Sequence, residues 1–192
     1  MKINYRIYQP TLSKDQSRLF NRHKTNKLIW FEAYHNLTWR PTLDRLTSDI
    51  VTLDHFNMIK KGWNFTIDCD ELSDLERMEM IFEAGNIGNN NAAIISAYRD
   101  TWAKSVSVGD IVVNSDYSAG WLCQSVGWAK LHNSKAESVL DYLNMRSGDS
   151  RHFFTDPAEF MEQINAAVPA GASKVFPAVY TSSASHIVEV KS

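Results

Sequence analysis

The sequence predicts an α+β fold, a small antiparallel sheet or partial barrel packed with about four to five helices. Three observations predict it. The chain opens on a period-two segment and carries a glycine-punctuated β element near its middle. Other segments show helical spacing and capping signals. The order, β, mixed α, β-α, β-hairpin, α, α, β-hairpin, lacks the regular alternation that builds a parallel sheet.

MKINYRIY sets Ile3, Tyr5 and Ile7 against Lys2, Asn4 and Arg6, a strand with one buried face that Pro10 ends. TLSKDQSRLFNRHK follows as a short helix with Ser13 as cap and Leu12, Leu19 and Phe20 as sparse apolar anchors. KLIWFEAYHN (27–36) is either a buried strand or the start of a helix, because periodicity alone does not arbitrate. Over 41–63 the spacing of Leu43, Leu46, Ile50, Leu53 and Phe56 predicts a helix, with Pro41 near its start and Gly62 as its stop. NFTIDCDEL (64–72) alternates Phe65, Ile67 and Cys69 and reads as a strand.

Ser73 and Glu76 form a capping box for the next helix, with Leu75, Met78, Ile81 and Phe82 inward and Gly85 as stop. NIGNNN (86–91) is a polar loop, and AAIISAYRDTW is a short helix or linker. A hairpin spans KSVSVGDIVVNSDYSAGWLCQSVGWAKL (104–131). Ser134 and Glu137 cap a helix holding Val139, Leu140 and Leu143, with Gly148 as stop. Asp156 and Pro157 open a helix over 156–171, and two short strands around a Ser-rich turn close the chain, Pro177 suiting an edge strand. The whole, 1–192, reads as a single domain.

Charge is uneven. Residues 1–61 hold 11 of the 20 Lys and Arg and 5 of the 22 acids, net +6, and the remainder is net −8. A basic N-terminal third suits nucleic acid or an acidic partner, but no dense basic run appears, so the two parts more simply offset each other within one fold. The overall charge of −2 argues against both a general polyanion binder and a heavily acidic nucleic-acid mimic. Two cysteines, Cys69 and Cys123, make no disulfide framework. No run of 18 apolar residues and no leader pattern occurs, so we expect a chain that works in the cytoplasm, without membrane insertion.

In the hairpin, Gly109 allows a sharp reversal and Asp110 supplies acceptors for nearby backbone donors. Ile111, Val112 and Val113 enter a strand, and Asn114-Ser115-Asp116 is turn chemistry. Trp121, Cys123 and Ser125 share one face of the returning strand, with Leu122, Gln124 and Val126 on the other. Gly127 marks a bulge where Trp128 changes direction. SVSVGDIVV, a short insert and WLCQSVGW together resemble a motif of small phage- and plasmid-borne accessory proteins, the YodL-type domain among them. IFEAGNIGN (81–89) and FEAYHNLT (31–38) are similar to segments those proteins carry upstream. The resemblance spans about 28–131, and the helix and hairpin of 134–192 lie outside it.

The resemblance implies a small effector of mobile elements, whose genes often sit beside anti-restriction and host-takeover genes. It brings no established activity. Its motif positions here are Ser105, Ser107, Val108, Gly109, Asp110, Gly127 and Trp128. Each has a structural reason to exist, since the segment nucleates a hairpin. The functional alternative puts Ser107 and Asp110 at a binding rim, with Trp102, Trp121 or Trp128 as anchors for a partner or stacking platforms for a base.

The six histidines are scattered, and neither Cys-x-x-Cys nor a phosphate-binding glycine loop occurs. The acids of DCDELSDLE (68–76) lack calcium-loop spacing and suit a helix N-terminus. Cys123 falls in an apolar strand, a poor setting for a nucleophile. No cofactor or metal is expected. The expectation is a non-catalytic effector that binds a host protein, of the defence or host-takeover kind. The alternative is a nucleic-acid-binding module using the basic third and the hairpin aromatics.

Overall fold

The computed structural model describes residues 1–22, 29–88, 91–132 and 134–147, all within one compact unit, Met1–Arg151. The expected helix over 156–171, the closing strands, Gly148 and the side chains of the Ser134–Glu137 pair lie outside the described residues.

Six antiparallel strands form an open sheet in the order β3-β2-β1-β4-β5-β6. β1 (Lys2–Pro10) lies near its centre, between β2 (Ile59–Asp68) and β4 (Ile111–Asn114). The single buried face expected from its period-two pattern is corrected by that position. Tyr5 and Ile7 face one side and Tyr8 the other, so the strand is buried on both. β3 (Ile94–Arg99) is one edge. β5 (Gly120–Cys123) and β6 (Trp128–Lys130) complete the other half. The fold is thus α+β, with five helices beside an open sheet among the described residues.

One face carries α2 (Ile29–Trp39), α3 (Leu43–His55) and α5 (Ser134–Ser147). Leu37, Leu46, Ile50, Leu53, Val139, Leu140 and Leu143 pack there on Tyr8, Ile59, Ile111, Val113 and Leu122. The other face carries α4 (Asp74–Asn86), whose Met78, Ile81 and Ala84 cover Tyr5, Ile7, Phe65, Ile67, Val112 and Trp121. Each fully buried aliphatic side chain contributes roughly 1.5–3 kcal/mol, so the two cores rather than any polar contact hold the sheet. α1 (Lys14–Arg22) begins at a reciprocal cap: Gln16 N–H donates to Ser13 Oγ at 3.2 Å, and Ser13 N–H to Gln16 Oε1 at 2.8 Å. The Ser73–Glu76 capping box opens α4 as expected.

Several expectations are corrected. The ambiguous segment 27–36 is helical where it is described, from Ile29. The helix expected over 41–63 stops at His55. Asn57 takes φ 55°, its N–H donates to Asp54 O, and Met58 N–H donates to Leu53 O. That pairing is a Schellman stop with asparagine in the left-handed position, so the chain is free to turn extended at Ile59. Gly62 is therefore inside a strand. The segment 92–102, expected as helix or linker, contains β3. Its Ile94-Ile95 pair and Tyr98 suit a pleated edge.

Gly85 lies within the last turn of α4, where an added Cβ would sit 2.3 Å from Val106 Cγ2. The helix ends just beyond it, and Gly88 turns the chain at φ 114°. Leu75 and Phe82, expected inward on α4, are exposed at 58% and 39%; Ala84 and Gly85 take the buried positions. Gly127 lies in the tight β5–β6 turn at φ 69°, not in a bulge, and Gln124 N–H donates to its carbonyl.

Candidate functional site

The segment Ser105–Asp110 joins the β3 side of the sheet to β4 and folds around one carboxylate. Ser107 N–H donates to Asp110 Oδ2 at 2.9 Å, and the Gln9 side-chain amide of β1 donates to the same oxygen at 2.7 Å. Asp110 N–H returns a bond to Ser107 O at 3.0 Å. Gly109 takes φ 89° because a Cβ there would stand 2.4 Å from Leu37 O of α2. Gly109 N–H then donates to Cys123 O, and Cys123 N–H to Asp110 O, which fixes the register of β4 against β5.

Asp110 is fully buried. Burial pushes its carboxyl up to about 6, against the opposing pull of the Lys104 ammonium at 3.5 Å, the Gln9 amide and the Ser107 N–H. The same amide of Gln9 lies 3.3 Å from both Lys104 O and Ser105 O, and Trp63 Nε1–H donates to Lys104 O at 2.9 Å. The result is a closed polar knot under the sheet. It orders a loop, with the carboxylate buried and the Lys104 side chain partly exposed at its margin.

The other residues singled out in the sequence scatter around it. Trp121 is buried, with Tyr5 edge-on at 6.0 Å. Trp128 is half-buried against Phe82, and Trp102 is half-buried under the Lys60 ammonium, 5.7 Å from the ring centre. All three tryptophans belong to the α4-side core and form no exposed row. Ser107 and Val108 are half-buried; Ser105 is exposed. So Asp110 and Trp121 have no surface with which to meet a partner, and their structural reading fits this geometry. Cys123 is also buried, and burial followed by the Asp110 charge pushes its thiol up to about 12, so it is protonated at neutral pH.

Two surfaces that the motif does not mark stand open. The first is β3. It ends the sheet, five of its six residues are exposed, and Ile95 and Tyr98 are 46% and 65% exposed. Edge backbone of that length is a template for another strand, and β3 lacks the lysine or proline that often blunts such edges.

The second is a hollow of about 320 Å³ lined by Arg6, Tyr8, Lys61 and Arg146. Arg6 donates to the Tyr117 hydroxyl at 2.9 Å, and that hydroxyl lies 2.6 Å from Tyr8 Oη. Arg146 reaches Asp54 at 2.8 Å and Ile59 O at 2.7 Å. Neither surface is marked by a clear sequence motif. The Ile-Ile-x-x-Tyr pattern of 94–98 was the available signal for β3. The hollow draws on three distant segments and has no motif.

Among the described residues, no three histidine, cysteine, aspartate or glutamate side chains converge as metal ligands, and no helix is long and apolar enough to cross a membrane. No protein-family model, no curated protein and no solved structure matches the chain.

Proposed function

We propose that the chain is a non-catalytic binding protein, a phage or plasmid effector of the host cytoplasm that engages a host protein through the exposed part of β3 around Ile95 and Tyr98. The observation that carries this is the exposed six-residue strand with Ile95 and Tyr98 uncovered at the end of the sheet. An incoming extended segment gains main-chain hydrogen bonds along such an edge, and the flanking apolar side chains add selectivity. The resemblance of SVSVGDIVV and WLCQSVGW to mobile-element accessory proteins supports the effector class. The buried knot at Asp110 supports a scaffold role for the motif, with recognition placed elsewhere.

The test is affinity capture from host cells expressing the tagged chain, with mass-spectrometric identification, run beside Ile95→Lys and Tyr98→Glu. A charge on the edge opposes strand addition. A partner held by the wild type and lost from both folded variants is the expected result. A partner retained by both removes β3 from the interface.

A further inference from the structure

We propose that the hollow at Arg6, Lys61 and Arg146 is a binding site for a small molecule carrying a phosphoryl or diphosphoryl group. The proposal is independent of β3 and of any partner. It starts from strand register. β1 and β2 pair Ile7 with Trp63 but Tyr8 with Lys61, so Gly62 is an extra residue between them. An unshifted ladder would put Gly62 opposite Tyr8 and Lys61 opposite Gln9, on the α4 side of the sheet. The bulge moves Lys61 to the opposite face, beside Tyr8, where it lines the hollow. Bulges re-aim side chains in this way and concentrate beside functional sites. This one admits only glycine, because a Cβ at position 62 would stand 2.4 Å from Gln9 Oε1 and 2.9 Å from Ala103 Cβ.

Charge then selects the ligand. Three cations line one hollow, and among the described residues its lining holds no carboxylate. Asp54 matches Arg146 from behind the lining. Arg6 and Lys61 have no ion-pair partner among the described residues, which leaves two positive charges facing the space. A phosphate monoester or diphosphate supplies about two negative charges and several acceptor oxygens, whereas a single carboxylate supplies half that charge. The guanidinium of Arg6 is held in advance: it lies 5.3 Å from the Tyr117 ring centre and donates to the hydroxyl of that ring. An ordered fork gives up less entropy when it grips an anion, and the lysine adds a point charge beside it. The volume of about 320 Å³ falls at the small end of ligand sites, which run from about 300 to 1,000 Å³, and suits a phosphorylated metabolite or mononucleotide.

The experiment titrates the full chain at low salt with inorganic phosphate, pyrophosphate, adenosine 5′-diphosphate and adenosine, following backbone and Arg Nε NMR shifts. A single-stranded oligonucleotide lacking terminal phosphates is a fifth arm. Saturable shifts at Arg6, Lys61 and Arg146 with pyrophosphate or the diphosphate, and none with adenosine, are expected. If the nucleotide binds more tightly than pyrophosphate, the source is a nucleotide; equal affinity identifies the phosphoryl group alone. Lys61→Ala and Arg6→Gln should each weaken binding about tenfold, with the unfolding midpoint unchanged for the exposed Lys61. Lys61→Glu should abolish it. Absence of saturation with every phosphate probe overturns the proposal, as does binding indifferent to both Lys61 variants. Oligonucleotide binding far tighter than the diphosphate also overturns it, in favour of a nucleic-acid track.

Discussion

β1 serves two polar centres of opposite construction. Gln9 points to the α4 side and completes a knot around a buried anion, Asp110. Arg6 and Tyr8 point to the other side and line an open hollow rich in cations. In the first, two donors hold one oxygen of a carboxylate that is fully buried. In the second, three cations line one space, and among the described residues only Arg146 has an ion-pair partner. A buried charge surrounded by donors organises a chain, whereas exposed like charges gathered without partners await something from outside. The contrast separates the residues that make this fold from those available to act.

Breaking the knot should cost most. Gly109→Val forces a β-branched residue into the left-handed region against the Leu37 carbonyl, and a loss on the order of 3 kcal/mol or more is expected in urea unfolding. Retention of wild-type stability would mean that the turn is not held as described. Asp110→Ala should cost about 2 kcal/mol, because the Ser107 N–H and the Gln9 amide lose their buried acceptor.

The pH dependence of the knot sharpens the comparison next. Asp110 has a folded value near 6, above its ordinary 3.8, so the folded chain binds the extra proton. Its contribution is therefore greatest below about 4 and is lost as pH rises through about 6. The urea midpoint of the wild type should fall from pH 5 to pH 7.5 relative to that of Asp110→Asn. Parallel midpoints would assign the titration elsewhere.

The hollow should respond least in stability. Lys61→Ala should change unfolding by no more than about 0.5 kcal/mol, because the side chain is exposed and has no ion-pair partner among the described residues. A large loss would mean that Lys61 belongs to the framework and would erase the distinction between the two centres.

The same contrast explains what the sequence made legible. The Ser73–Glu76 cap, the alternation of β1 and the Gly109-Asp110 turn are local patterns, and local patterns survive in one dimension. The helix stop at Asn57 was missed because asparagine adopts the left-handed conformation without announcing it as glycine does. Gly62 then looked like punctuation for a helix that had already ended. β3 was missed because its outward positions combine Ile95, Ser96, Ala97 and Tyr98, a mixture with no clean period. Trp121 reads in the sequence as a recognition residue, but its strand is covered by α4 and the ring is part of that core. Arg6, Lys61 and Arg146 are far apart in the chain and meet only through pairing and helix docking.

The extra residue in β2 has a consequence for how such chains diverge. Because Gly62 sets the phase between Trp63 and Lys61, straightening the ladder at constant length would pair Lys61 with Gln9 and turn it to the opposite side, whereas deleting Gly62 would leave Lys61 opposite Tyr8. Straightening would also take Ile59 out of the core it shares with Tyr8, while the deletion would spare both that core and the cluster of cations. The phase of the strand ahead of the bulge, more than its length, decides whether a descendant of this chain keeps the cavity charged.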